Sequence, residues 1–397
     1  MNIIYIILRK IERKIDSQVM DYFIEINATY LFNNIEIIKN ITNCAVAPVL
    51  KSNAYGHGIK EIISLLNLYK DINYVCVAYT DEAIKVRNAG WQNNVIIMSA
   101  VADSIEIDNK FQYFVYSFDF LLILLEKAVV NRIVFQVHIK LNCGMNRFGF
   151  NDNEINSLIK LLIDNKQYIK VVGIATHLPR LNYLYNQEIT EQITLFNTLV
   201  KKIQKVFGSD LLIHPFSSKG MNLISKTKAS CNMIRVGGAL YGLLNSEQKK
   251  TLLIENKNFD LKQIMTLKAK VIMIRKVKKN DYIGYGENYQ VKKNATIAIA
   301  AFGYGYGYSI SLLKSIFGGY CNNQYISFAG LIGMNALFFD ITNVKNKLSL
   351  GDYIILTADK KIEINAANLS KLYIGGREYA FVTMLHESIP KIIFYEK

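Results

Sequence analysis

Only four prolines occur in 397 residues, and glycine follows no regular period, which excludes a collagen-like or linker-like chain. No uninterrupted apolar run reaches the ~18 residues that a membrane span needs. The longest candidates, 118–125 and 95–102, are bounded by Asp, Asn or Glu. The five cysteines (Cys44, Cys76, Cys143, Cys231, Cys321) form no CxxC pair. That argues for reduced thiols in a cytoplasmic protein, against a disulfide framework or a structural zinc. The five histidines (His57, His138, His177, His214, His386) lack metal-ligand spacing, so no metal is expected. Near the N-terminus the apolar stretch 1–8 precedes Arg9, Lys10, Arg13 and Lys14, the reverse of a secretory signal, and no export is read. A basic stripe with interleaved aromatics is also missing, although 47 Lys and Arg against 32 Asp and Glu leave a charge of +15. A bias towards Ile, Asn, Lys and Tyr accounts for that charge, and no nucleic-acid partner is expected.

What is present is ordinary globular composition, 51% apolar and 20% charged, in a chain long enough for about two domains. Short β-branched runs at 44–51, 74–78, 95–98, 112–116, 133–141, 171–176, 211–214 and 233–236 read as strands. Amphipathic helical patterns lie between them at 59–68, 81–89, 118–129, 153–164 and 188–206, with shorter connections around 103–108 and 221–225. Eight strands alternating with helices predict a parallel (β/α)8 TIM barrel. Past Leu244 the texture changes to strands at 264–279, 295–302, 325–329, 336–341 and 353–357, separated by Gly, Asn and Asp turns. The expected organisation is an N-terminal extension over 1–16, a barrel over 17–247 and a mostly β C-terminal domain over 248–397, with the boundary in the polar stretch 245–250.

A barrel carries its chemistry at the C-terminal ends of its strands. Polar residues there are Lys51, Lys140, Arg147, His177, Ser217, Ser218, and Arg235 with Gly237 and Gly238. A lysine ending the apolar run AVAPVLK is costly unless used or paired, and a desolvated amine is a nucleophile suited to a Schiff base. A rim lysine reaching solvent satisfies the same pattern. The serine pair and the glycine pair suit a phosphate at the site after strands 7 and 8, or simply make turns. Lysine, phosphate cradle and a nearby cation form the set expected for pyridoxal phosphate.

The segment KSNAYGHG at 51–58 resembles the cofactor-lysine signature of alanine racemases. Further matches follow in order: KLNCGMNRFG at 140–149, ATH at 175–177, IRVGGALYG at 234–242, IGYG at 283–286, GY at 303–304, GMN at 333–335 and YAFVT at 379–383. This resemblance implies a homodimeric, pyridoxal 5'-phosphate-dependent isomerase that supplies D-alanine for peptidoglycan. It implies that Lys51 carries the cofactor and acts as base on one face of the external aldimine, with Tyr285 of a second copy as base on the other. Two bases on opposite faces are what stereo-inversion requires. Phenols ionise near pH 10 in water, so a phenolic base needs support, for which His177 and Arg235 are the family's residues. Arg235 would also face the pyridine nitrogen. Tyr55, Ser218, Gly238 and Tyr379 would hold the phosphate, and Arg147 with the Met334 backbone the substrate carboxylate. The position of Lys140 can carry a carbamate in this family.

Four departures stand out. Asn142-Cys143 replaces the family's Asp-Thr, Asn335 its Asp after Met, Tyr306 the Asp of Gly-Tyr-Ala-Asp-Gly, and Ser217 the Asn before Ser. Three carboxylates are thereby absent near the expected substrate entrance, which bears on selectivity and turnover. The alternatives are a broader-specificity amino-acid racemase and a degenerate pyridoxal-phosphate-binding homologue. A decarboxylase on the same barrel would need an acid where Arg235 stands. A single-barrel cofactor carrier would lack the domain holding Tyr285 and Met334.

Overall fold

The computed structural model describes residues 20–178, 187–244, 249, 259–285, 289–309, 318–345, 348–361, 364–373 and 379–396. The expected boundary at 245–250 falls almost wholly outside them. Contacts divide the chain into two units: Ala28–Ile264, and Met265–Tyr395 together with the stretch ending at Asn27.

The first described strand, β1 (Tyr22–Asn27), lies in the unit that also holds Met265–Tyr395. It pairs antiparallel with β10 (Met265–Val277) and parallel with β16 (Lys391–Phe394), both in the β unit. Its buried apolar residues Phe23, Ile24 and Ile26 drive that choice, because they are sealed only between two strands. The barrel unit starts with helix Ala28–Thr42, which the sequence reading did not anticipate.

Eight parallel strands follow: β2 (Ala45–Pro48), β3 (Tyr74–Val77), β4 (Asn94–Ile97), β5 (Phe111–Val115), β6 (Phe135–Lys140), β7 (Ile169–Ala175), β8 (Leu212–His214) and β9 (Met233–Val236). β3 to β8 are hydrogen-bonded in sequence order, and β2 pairs with β9. Single parallel bridges, Val49 with Cys76 and Ser217 with Arg235, join the two sets. The eight expected barrel strands are therefore all present, and the ring closes. Strands such as β5, buried along all five residues, read as continuous apolar runs because barrel and helices cover both faces. Outer helices show the complementary 3.6 period: Gln187–Phe207 buries Ile189, Ile193, Phe196, Val200 and Ile203. Ser117 caps helix Phe118–Asn131 by accepting the Phe120 N–H at 3.2 Å. All five cysteines are free thiols, yet Cys44 and Cys231, distant in sequence, place their sulfurs 3.6 Å apart.

The second unit is mostly β. Its remaining strands are β11 (Ala295–Ala300), β12 (Gly318–Cys321), β13 (Gln324–Ser327), β14 (Leu337–Asp340) and β15 (Tyr353–Thr357). β10 is long enough to serve two sets of neighbours. Its first half pairs with β1 and β15, and from Val271 onward, across a register shift at Val271/Met273, it pairs with β11. β12 and β16, four residues each, were not anticipated. Among the described residues no helix is long and apolar enough to cross a membrane.

Candidate active site

Two buried residues past β2, Val49 and Leu50, comes Lys51, and the backbone then does something unusual. Ser52, Asn53, Ala54 and Tyr55 all lie in the left-handed helical region, with φ between 52° and 54°. None is glycine, and such a conformation costs about 1–2 kcal/mol per residue. The turn is held from outside. The Ser52 N–H donates to Glu82 Oε1 at 2.6 Å, and the Ile59 N–H to Asn53 Oδ1 at 2.9 Å. The buried His57 ring offers Nδ1 to the carbonyls of Ala54 and Tyr55 at 3.0 and 2.9 Å. Backbone strain locked in place by side chains is a mark of positioned chemistry.

The Lys51 amine is held below its ordinary pKa, first by burial and then by the charge of Arg147, with Glu82 opposing. Lys140, the last residue of β6, is driven much further down by complete burial and by Arg235 and Arg147. Its Nζ and the Arg235 guanidinium both sit over the Phe114 ring, at 5.6 and 5.8 Å. Burial and then the charges of Arg235, Lys140, Arg147 and Lys51 push the His177 pKa down to about 3, so its imidazole is neutral. Among the described residues no carboxylate makes an ion pair with Arg235, Lys140, Arg147 or Lys51. Guanidinium groups without a paired carboxylate favour an anion beside them.

Behind Arg235 lies a relay that sequence reading missed. Its Nη1 donates to His214 Nδ1 at 2.6 Å and to the His214 carbonyl, and Nη2 to the Thr176 carbonyl at 2.7 Å. A guanidinium has no acceptor, so His214 must carry its proton on Nε2 and donate to His138 Nδ1 at 2.8 Å. His138 in turn donates from Nε2 to Gln112 Oε1 at 2.8 Å, and Gln112 to Gln136 Oε1 at 3.1 Å. Every link has one direction, and both imidazoles are neutral. The signal was available: His138 and Lys140 are two apart in one strand and share its inner face.

Burial and then Arg235 hold His138 down to about 3 and His214 well below its ordinary range. In the unfolded chain both titrate near pH 6.5. The native state thus binds fewer protons below that pH, and stability, complete above it, falls as pH drops towards 3. The slope reaches about 1.4 kcal/mol per pH unit for each histidine. The urea midpoint should therefore drop clearly between pH 7 and pH 5; a flat profile would contradict the neutral relay.

A donor cluster completes the barrel part. Buried Ser218 accepts the Gly237 and Ala239 N–H groups on Oγ at 3.1 and 3.2 Å, which leaves its own proton to point elsewhere. The Gly238 N–H is adjacent in the same turn. A Cβ on Gly237 would run into the Tyr55 hydroxyl, so the glycine is what lets that phenol approach the backbone. Tyr55 is buried, and its pKa is raised by that burial, so it stays a donor.

In the β unit, the turns at 303–306 and 333–335 are clasped together. The N–H groups of Tyr304 and Gly305 donate to the carbonyls of Gly333 and Met334 at 3.1 and 3.0 Å. Tyr306 packs its ring on Tyr22 at 4.5 Å and stacks on Phe302 at 5.5 Å, an aromatic contact at a position where the family carries an acid. Tyr285 is 79% exposed and Met334 55% exposed. Tyr379 immediately precedes helix Ala380–Met384, and its carbonyl accepts the Thr383 hydroxyl at 2.8 Å.

The structure thus gathers Lys51, Tyr55, Lys140, Arg147, His177, Ser218, Arg235 and Gly238 in the barrel unit, and places Tyr285, Met334 and Tyr379 in the β unit. Residues 26–245 match the family described as alanine racemase, N-terminal domain, and residues 264–393 match alanine racemase, C-terminal domain. The chain belongs to the alanine racemase family. Members of this family are isomerases and in general depend on pyridoxal phosphate. An alanine racemase of Helicobacter pylori strain J99 is 27% identical over 381 residues, covering 93% of this chain and 98% of its own. The alanine racemase structure of Clostridium difficile 630 superposes with a TM-score of 0.82 at 25% identity, covering 95% of this chain and 97% of that one. The alanine racemase structure of Bartonella henselae with covalently bound pyridoxal phosphate shares the fold, with a TM-score of 0.77 at 19% identity over 94% of this chain and 100% of that one.

Proposed function

We propose that this chain interconverts L- and D-alanine with pyridoxal 5'-phosphate as cofactor and with Lys51 and Tyr285 as the two proton-carrying groups. It works as a cytoplasmic homodimer and supplies D-alanine for peptidoglycan. The observation that carries this reading is Lys51 itself, an amine pushed towards its uncharged form among cations with no carboxylate paired to them.

The residues fit the cofactor. Ser218, Tyr55 and the Gly238 N–H supply protonated donors for a phosphate, with Tyr379 assigned to the same group, and Lys51 supplies the amine that anchors the aldehyde. Once bound, pyridoxal phosphate supplies an electron sink beside the substrate Cα. Arg147 and the Met334 backbone hold the substrate carboxylate. Lys51 Nζ takes or returns the Cα proton on one side, and Tyr285 Oη on the other. Arg235, its pKa lowered by burial only to about 10, keeps its charge at neutral pH and can only donate. A ring nitrogen held beside it would stay an acceptor, which would restrain the sink and limit side reactions. Neutral His177 adds no further charge. The Lys140 amine, driven towards its uncharged form by burial, can add to CO2, releasing a proton and setting a carbamate anion beside Arg235 and Arg147. Exposure of Tyr285 and Met334 suits their burial against a second copy.

The deciding test is D-alanine formation from L-alanine in D2O with added pyridoxal phosphate. D-alanine carrying deuterium at Cα is the expected product, and cofactor binding without D-alanine would overturn the reading. Broader specificity is the second reading, favoured by Asn142, Asn335 and Tyr306 standing where the family carries acids; L-serine turned over within tenfold of L-alanine would support it.

A further inference from the structure

The departure at Asn142 is where the structure carries furthest, on the basis of the function just proposed. The loop from Asn142 to Phe150 leaves the end of β6 and returns to it. Its base is closed by the Asn142 N–H on the Phe150 carbonyl and the Phe150 N–H on the Lys140 carbonyl, both at 2.9 Å. Gly149, at φ 120°, lies so close to Leu141 and Lys140 that a Cβ would strike their backbone. One side chain of this loop, Asn142, bonds to three other residues. Asn142 Oδ1 accepts the N–H groups of Gly144 and Asn146 at 3.3 and 3.0 Å. Asn142 Nδ2 donates to Asn146 Oδ1 and Asn151 Oδ1, both at 2.9 Å.

Asn146 is therefore gripped twice, by backbone and by side chain, in a left-handed conformation with φ 53°. The next residue is Arg147, whose charge is felt by Lys51, Lys140 and His177 together. We propose that Asn142 is the positioning residue for Arg147: its amide fixes the loop geometry that aims the guanidinium at the substrate carboxylate. A carboxylate at 142 would keep both bonds from backbone N–H groups, and the exposed Asn146 and Asn151 amides could turn to donate to it. The change from the family's acid thus preserves the clasp while leaving Arg147 without a negative neighbour inside its own loop.

The test compares Asn142→Ala, Asn142→Asp and Arg147→Lys in the holoenzyme, reading KM and kcat for L-alanine, and hydrogen exchange of the 142–151 segment without substrate. Asn142→Ala should raise KM roughly tenfold with kcat within about threefold, the signature of lost uniform binding, and should speed exchange in this segment. Asn142→Asp should stay within about threefold of the parent in both constants and keep the segment protected. Unchanged KM in Asn142→Ala, or equal damage from Ala and Asp, would overturn the proposal. If Arg147→Lys itself leaves KM unchanged, the assignment of Arg147 to the carboxylate fails and the positioning role falls with it. If Arg147→Lys raises KM but Asn142→Ala does not, only the positioning role fails.

Discussion

Lys51→Ala is expected to lower racemisation by at least ~10³-fold and to abolish the visible absorbance that bound pyridoxal phosphate gives. No neighbour can substitute. Lys140 is buried over Phe114, and Arg235, lowered by burial only to about 10, keeps its proton at neutral pH. Among the described residues no carboxylate is paired with Lys51, so the change breaks no ion pair. The melting temperature should hold or rise slightly, which separates lost chemistry from lost folding. Residual activity above about 1% of the parent, with cofactor absorbance intact, would remove Lys51 from its assigned role.

Tyr285→Phe comes next in size. Deleting one oxygen from a side chain that is 79% exposed leaves the fold alone, and the melting temperature should shift by less than about 1 °C. Racemisation should fall by roughly 10²–10⁴-fold, the usual contribution of a positioned acid or base. Isotope exchange gives the sharper reading. With one proton-carrying group left, the Cα hydrogen of one enantiomer should still exchange with D2O while inversion stalls. Exchange of both enantiomers at parental rates would show that Tyr285 is not the second group.

How far the sequence carried depended on the range of the interactions. Barrel strands were legible because each is a local apolar run, and the rule that chemistry sits at strand ends picked out Lys51, Lys140, His177, Ser218 and Arg235 without a partner in view. β1 was not legible: its six residues acquire meaning only beside Ala269 and Ile392, far along the chain. The His138–His214 contact spans 76 positions and carries no local signature, although the shared face with Lys140 pointed inward. The left-handed turn at Ser52–Tyr55 was hidden for a different reason. It uses no glycine, and Glu82, 30 positions away, helps to hold it. At Asn142 the departure was visible but its compensation was not, because Asn146 and Asn151 look like ordinary loop residues until their amides are seen to meet.

The place of β1 has a consequence for how the chain is made. It sits between β10 and β16 in the sheet, so the ribosome delivers this inner strand well before its neighbours, β10 about 240 residues later and β16 about 360. Until then its edges are open, and the barrel must fold while a tethered apolar strand waits for partners. High contact order makes the closing step of the β unit slow, whereas the barrel, built from sequential neighbours, can form as it emerges. Severing the chain between the two family-matched segments would therefore not free an independent C-terminal domain. A fragment starting at Met265 would leave a gap between β10 and β16, and only co-expression with a peptide covering Tyr22–Asn27 should restore its solubility.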